Sequence, residues 1–140
     1  RKDAIRNLVT IEIICFGSRK NRSHNNSFMK YQIKSISKIP LEGTHDLPNS
    51  RQTLATSSDV ITNNLDALTK GILAVGKVWD WHSHEEYDEL CIVIKGTGKF
   101  YWEDEVSEYK NNDVIIIPAK GKHKIEATED SEFYFVRIKV

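Results

Sequence analysis

Residues 76–96, GKVWDWHSHEEYDELCIVIKG, constrain this chain more than any other stretch. His82 and His84 lie two apart, Glu89 follows five residues later, and a glycine stands at each end. On an extended backbone residues i and i+2 point to the same face, so the two imidazoles can reach one point in space. Residues 85–88 give the chain room to turn, and Leu90-Cys91-Ile92-Val93-Ile94 then restarts a strand with Glu89 at its head. Two imidazoles and a carboxylate converging from adjacent strands make a transition-metal site.

A β-framework surrounds that stretch. Residues 71–78, 90–94, 99–102, 106–109, 114–117, 124–127 and 132–140 read as short strands. Gly96-Thr97-Gly98, Glu103-Asp104-Glu105 and Lys110-Asn111-Asn112-Asp113 supply turn chemistry between them. Upstream, residues 31–39 alternate loosely as a strand ending at Pro40, residues 41–52 read as loop, and residues 53–57 as a short strand. Residues 59–69 fit either one helical turn or a loop over a barrel. His24 and His45 fall in polar stretches and read as solvated surface histidines. Many short strands with little helix argue an all-β sandwich or barrel.

The strand phases add detail. In residues 99–103 the charged ends point outward, which turns Phe100 and Trp102 inward. Residues 115–117 and 133–136 are apolar on both faces, and a strand buried on both sides in a small β-domain needs a second covering layer. A homodimer is the simplest supplier, and the N-terminal segment is the other.

Composition sets the outer bounds. At 140 residues the chain is one domain by length. Twenty basic and twenty acidic side chains cancel, leaving no electrostatic footprint for nucleic acid or an anionic membrane. No apolar run approaches the length needed to span a bilayer. Two cysteines, Cys15 and Cys91, make no disulfide framework, which points to a reducing, cytoplasmic compartment.

Residues 1–28 stand apart. Met29 is the only methionine. Ahead of it lie a β-branched run, Leu8-Val9-Thr10-Ile11-Glu12-Ile13-Ile14, and a polar, Asn-rich stretch of linker composition at residues 18–27. Arg6 and Glu12 interrupt the apolar region and no small-residue cleavage site follows, which weighs against a secretory signal. Two readings stand side by side: a leader or upstream extension before a start at Met29, or an added strand pairing with the barrel or a second subunit. Residues 29–140 are expected to form the single folded domain.

A third histidine follows the strand at residues 114–117. Pro118 and Gly121 give a tight reversal that sets His123 at the head of the next strand, sharing a face with Ile125 and Ala127. A lone histidine on such a face is ordinarily a core residue with a hydrogen-bond partner, but beside the first stretch that reading loses ground. The pattern Gly76-x5-His82-x-His84-x4-Glu89-x6-Gly96 matches the first signature of the cupin superfamily, and Asn112-Asp113-x4-Pro118-x2-Gly121-x-His123 resembles the second. The resemblance spans residues 73–140 and is strongest to the small single-domain cupins with a mannose-6-phosphate isomerase-like label. Asn112 stands where glycine is usual, and Ala127 replaces the trailing Asn of the second signature. Asn tolerates positive φ, and neither departure touches a ligand position.

The resemblance implies a double-stranded β-helix, the cupin or jelly-roll barrel, with His82, His84, Glu89 and His123 on the family's metal-ligand positions. Three neutral imidazoles and one carboxylate suit one divalent transition metal, Fe, Mn, Ni, Co or Zn, and leave open positions for water, O₂ or a chelating small molecule. The catalytic candidates are weak. If the strand from Ile72 is regular, Asp80 shares the face of His82, as an acceptor for an imidazole N–H, a proton shuttle or a solvated rim residue. Tyr87 stands in the mouth loop with Glu85 and Glu86. Cys91, two after Glu89, points into the barrel as a small hydrophobe rather than a reactive thiol. Trp79 and Trp81 are expected on the opposite face, covering the barrel's outside or making a dimer contact. Two function classes follow: a metal-dependent isomerase, lyase or dioxygenase acting on a sugar, keto acid or organic acid, or a non-catalytic small-ligand module using the same metal.

Overall fold

The structure, a computed structural model, describes residues 29–140. Both readings of residues 1–28, and His24 with them, lie outside the described residues. The elements are β1 (Glu42–Thr44), β2 (Leu47–Thr56), β3 (Leu65–Leu73), β4 (Val78–His82), β5 (Tyr87–Lys95), β6 (Gly98–Trp102), β7 (Glu105–Tyr109), β8 (Val114–Ile117), β9 (His123–Ala127) and β10 (Ser131–Lys139). Single 3-10 turns at Ile36–Lys38 and Ser57–Asp59 are the helical elements among the described residues. None is long and apolar enough to cross a membrane.

The strands form two antiparallel sheets, six-stranded in the order β1-β2-β3-β10-β5-β8 and four-stranded in the order β4-β9-β6-β7. This is the all-β, two-sheet barrel that the resemblance implies. Period-2 alternation builds its interior. Ser131, Phe133 and Phe135 of β10 are buried, as are Glu89, Cys91 and Val93 of β5 and His123, Ile125 and Ala127 of β9. Trp79 packs on Phe133 and Phe135 with ring centroids 5.4 and 5.6 Å apart, and Tyr109 closes on Phe133 at 5.4 Å. Phe100 and Trp102 turn inward as expected and pack against this core.

Strand β3 decides where the interior stays hollow. Its inward residues are Ala67, Thr69 and Gly71, all small, before Leu73 restores bulk. At Gly71 a Cβ would come within 2.6 Å of the Trp79 ring and 2.7 Å of Phe135, so glycine there is what lets Trp79 lie down on the sheet. At the β7–β8 turn Asn112 takes φ 71°, the left-handed geometry the usual glycine would supply.

Upstream of β3 the structure departs from the sequence pattern. Residues 31–39 form no strand, only the 3-10 turn at Ile36–Lys38. Residues 41–52, whose composition suggests loop, hold β1 and most of β2. The pairing runs Thr44↔Leu47 and then Glu42↔Arg51, so β2 spends four steps where β1 spends two. That irregularity absorbs Pro48, which has no N–H to give, and Asn49 at φ 53°. Residues 59–69 are neither a helical turn nor a loop throughout, since β3 begins at Leu65.

Candidate metal centre

His82 ends β4, His84 follows it, and His123 opens β9 directly across from His82. One ring nitrogen from each of the three lies within 4.8 Å of the others, a grouping able to hold a metal ion. Glu89, on the inward face of β5, places Oε2 3.5 Å from His84 Nε2. Two contacts lock the halves of the site together: Lys120 N–H donates to His84 O at 2.7 Å, and Ala119 N–H donates to Asp88 Oδ1 at 2.8 Å.

The ring hydrogen bonds fix the chemistry. His82 Nδ1 lies 2.6 Å from Asp80 O, and His123 Nδ1 lies 3.0 Å from Gly121 O. A backbone carbonyl only accepts, so both Nδ1 atoms carry the proton and both Nε2 atoms keep a free lone pair. His84 Nδ1 meets Tyr87 Oη at 2.9 Å, and Arg137 Nη1 donates to the same hydroxyl at 3.2 Å. Nε2 of His84 and of His123 are buried without a hydrogen-bond partner. Buried ring nitrogens of this kind ordinarily have one, and a metal ion would provide it. Burial favours the neutral rings: it lowers the pKa of His82 and brings that of His123 to about 4.

A cavity of about 320 Å³ opens beside these nitrogens, lined among others by Arg51, Trp79, Tyr87, Glu89 and Arg137. Tyr87 is therefore part of the site. Cys91 points inward but is fully buried in the core below, where desolvation raises its thiol pKa well above the usual value. Glu85 and Glu86 are exposed.

The register of β4 corrects the expectation for Trp79 and leaves Asp80 as the solvated rim residue, the last of its readings. Trp79↔Ile125 and His82↔His123 place three steps of β4 against two of β9, a bulge that breaks the alternation. Trp79 and His82 thus both face inward, and Trp79, expected on the outside, is 3% exposed. Asp80 does not share the face of His82. Its side chain is exposed and caps Trp81 N at 2.8 Å, while its backbone carbonyl serves the imidazole. Trp81 does lie outside, edge-on to Tyr101.

His45 is the site residue that sequence reasoning misses. It is solvent-exposed overall, as its polar surroundings suggest, yet its ring centroid lies 4.1 Å from that of His82 at the cavity rim. Partial burial, and then His82 beside it, lower its pKa to about 4. The β1–β2 hairpin delivers it: His45 and Asp46 are the two loop residues, at φ 51° and 61°, as a tight two-residue connection demands. A His-Asp pair between Thr44 and Leu47 is the available signal, hidden by Pro48 and Asn49 just beyond.

The fold is a two-sheet β-barrel with a histidine cluster able to hold a metal ion at its mouth, and comparison with known proteins bears on the fold. Residues 71–139 match the model of the family described as Cupin domain. Residues 71–139 are thus a cupin domain. An uncharacterized protein of Methanocaldococcus jannaschii is 35% identical over 60 residues, covering 43% of this chain and 48% of that one, so the match spans about half the length of this curated relative. Among solved structures, a predicted oxalate decarboxylase from Thermotoga maritima superposes with a TM-score of 0.69 at 22% identity, covering 78% of this chain and all of that one (100%). A cupin protein from Bacteroides fragilis gives 0.56 at 23% identity over 79% and 83% of the two chains. These likenesses are of fold.

Proposed function

We propose that this cupin holds one divalent transition metal at His82, His84, Glu89 and His123 and acts on a small polar metabolite, a sugar, keto acid or organic acid, chelated there. The observation that carries the reading is the pair of buried, unpartnered Nε2 atoms on rings that are held at their other nitrogen. The nitrogen and oxygen donors suit Fe, Mn, Ni, Co or Zn, and an ion so held supplies Lewis-acid or redox chemistry. The chain's own residues do the rest. The carbonyls of Asp80 and Gly121 hold the ring tautomers. Tyr87 Oη, set between His84 and Arg137, is positioned to hold or pass a proton at the cavity wall. Glu89 lowers the charge that the ligand meets. The working protein is taken as a cytoplasmic homodimer with neither nucleic acid nor membrane as partner.

A second reading, a non-catalytic binding or sensing module, draws on one observation. Of the three proton-carrying candidates Asp80 faces solvent and Cys91 is sealed in the core, which leaves Tyr87 alone in the cavity. Turnover of a bound metabolite by the metal-loaded protein would decide against this reading.

The testing experiment is elemental analysis of untagged protein purified without added metal or chelator, with His82→Ala in parallel. Stoichiometric metal in the native protein and its loss in the variant are expected. His84→Ala and Glu89→Gln should likewise lose metal while keeping the strand signature in circular dichroism. Full occupancy in either would sink the ligand assignment. Iron would direct the substrate screen to dioxygenase chemistry, and zinc, manganese or nickel to isomerases and lyases.

A further inference from the structure

The geometry points to Arg51 and Arg137 as a carboxylate-binding pair that makes the ligand of this cavity a small organic monoanion, a 2-oxo or 2-hydroxy carboxylate. This inference rests on the metal reading above and narrows its substrate class.

The two arginines enter the hollow from either side of β3. Arg51 lies on β2 opposite Gly71, and Arg137 lies on β10 between Ala67 of β3 and Glu89 of β5 in the strand register. The small inward residues of β3 leave the space between them open, and both line the cavity with the three histidines. Arg137 is the cross-strand neighbour of Glu89, so its guanidinium stem rises beside the metal cluster.

Each guanidinium is partly committed and partly free. Arg51 Nη2 pairs with Glu42 Oε2 at 3.0 Å, and Arg137 Nη2 pairs with Asp66 Oδ2 at 2.7 Å. These carboxylates fix the stems in place. Nε of Arg51 and Nε of Arg137 are both buried with no hydrogen-bond partner. Buried N–H groups on a permanent cation are seldom left so, and a planar carboxylate is the acceptor whose geometry suits a guanidinium edge.

Charge leads to the same ligand. Arg51 with Glu42 and Arg137 with Asp66 are each neutral as pairs, and as metal ligands the three imidazoles would be neutral and Glu89 would bring one negative charge. A divalent ion then leaves the cavity with one net positive charge, which one carboxylate cancels. A neutral sugar could accept from the Nε–H groups through its hydroxyls but would leave that charge uncancelled. At about 320 Å³ the cavity is at the small end of ligand sites, in keeping with an acid of few carbons.

The test is calorimetric titration of lactate, pyruvate and the neutral isostere lactamide into metal-loaded protein whose metal content has been measured. The same titrations are run on Arg51→Gln, Arg137→Gln and Arg137→Lys. Lactate and pyruvate should bind the native protein at least tenfold more tightly than lactamide. Each Gln variant should lose tenfold or more for the acids at unchanged metal content, and Arg137→Lys should recover part of the loss. Equal affinity for lactate and lactamide, no binding of either acid, or acid affinity indifferent to both Gln substitutions would overturn the inference. If the native protein takes up no metal, the metal reading fails by itself. Titration of the metal-free protein then still judges the arginines, because their preference for lactate over lactamide does not need the ion. Should a Gln variant lose its circular dichroism signature, the lactate-to-lactamide ratio of the native protein and of Arg137→Lys decides between these outcomes.

Discussion

Each imidazole of the cluster is held by a different kind of partner, and the difference has measurable consequences. The carbonyls of Asp80 and Gly121 are backbone groups that no substitution of side chain removes. His84 instead depends on the Tyr87 hydroxyl, which accepts from Arg137 at 3.2 Å and shares a hydrogen bond with His84 Nδ1 at 2.9 Å. Tyr87→Phe would keep the ring stacked on His84, at a centroid distance of 4.5 Å, and delete only the hydroxyl. His84 would then be free to choose its tautomer and rotate. Partners of this kind typically contribute about 10–100-fold to metal affinity. Tyr87→Phe should therefore weaken metal binding by about tenfold or more, read by competition with a chromophoric chelator, with little change in thermal midpoint. Unchanged affinity would mean that His84 is oriented by packing alone.

At the scale of elements, the site exists because the β8–β9 turn is fastened to the segment between β4 and β5. Asp88 accepts from Ala119 N–H at 2.8 Å, and Lys120 N–H reaches His84 O at 2.7 Å, so His123 and His84 cannot drift apart independently. Asp88→Ala deletes one of these ties without removing a ligand. A charged hydrogen bond to backbone is worth about 1.5 kcal/mol or more, and denaturant unfolding should show a loss of that order together with weaker metal binding. A loss of stability with metal affinity intact would show that the remaining Lys120 contact suffices. Much of this arrangement is legible in the sequence. The spacing of His82 and His84, the strand behind Glu89 and the Pro118–Gly121 reversal before His123 are local patterns, and local geometry carries them into the fold. Two features are illegible for physical reasons. The β4 bulge is set by pairing with β9, so nothing within residues 78–82 tells that Trp79 turns in and Asp80 out. The β1–β2 hairpin tolerates Pro48 and Asn49 only because β2 slips against β1, and the loop chemistry of those residues hides His45.

For the molecule as a whole, the outer face of the six-stranded sheet is where the barrel is least self-sufficient. Val114 and Ile116 of edge strand β8 are 61% and 70% exposed, and Ile92 of β5 is 41% exposed. They are not scattered: the register pairs Ile92 with Val114 and Leu90 with Ile116, and β10 continues the rows with Tyr134 and Val136. Isolated exposed hydrophobes need no explanation, but a contiguous apolar patch running to an open strand edge does. Residues 115–117 and 133–136 are apolar on both faces for two different reasons, one face serving the core and the other this patch. A second copy of the chain is the occupant proposed here, because a two-fold axis beside β8 would pair the open edge and cover both patches at once. Light scattering coupled to size exclusion should give a dimer for the native protein and a monomer for Ile116→Lys. The variant should retain its metal, since the patch faces away from the interior and the histidines sit on the other sheet, at β4 and β9. A native monomer at micromolar concentration would reject the dimer and leave this face to another partner. A dimer that persists in Ile116→Lys would place the interface elsewhere on the barrel.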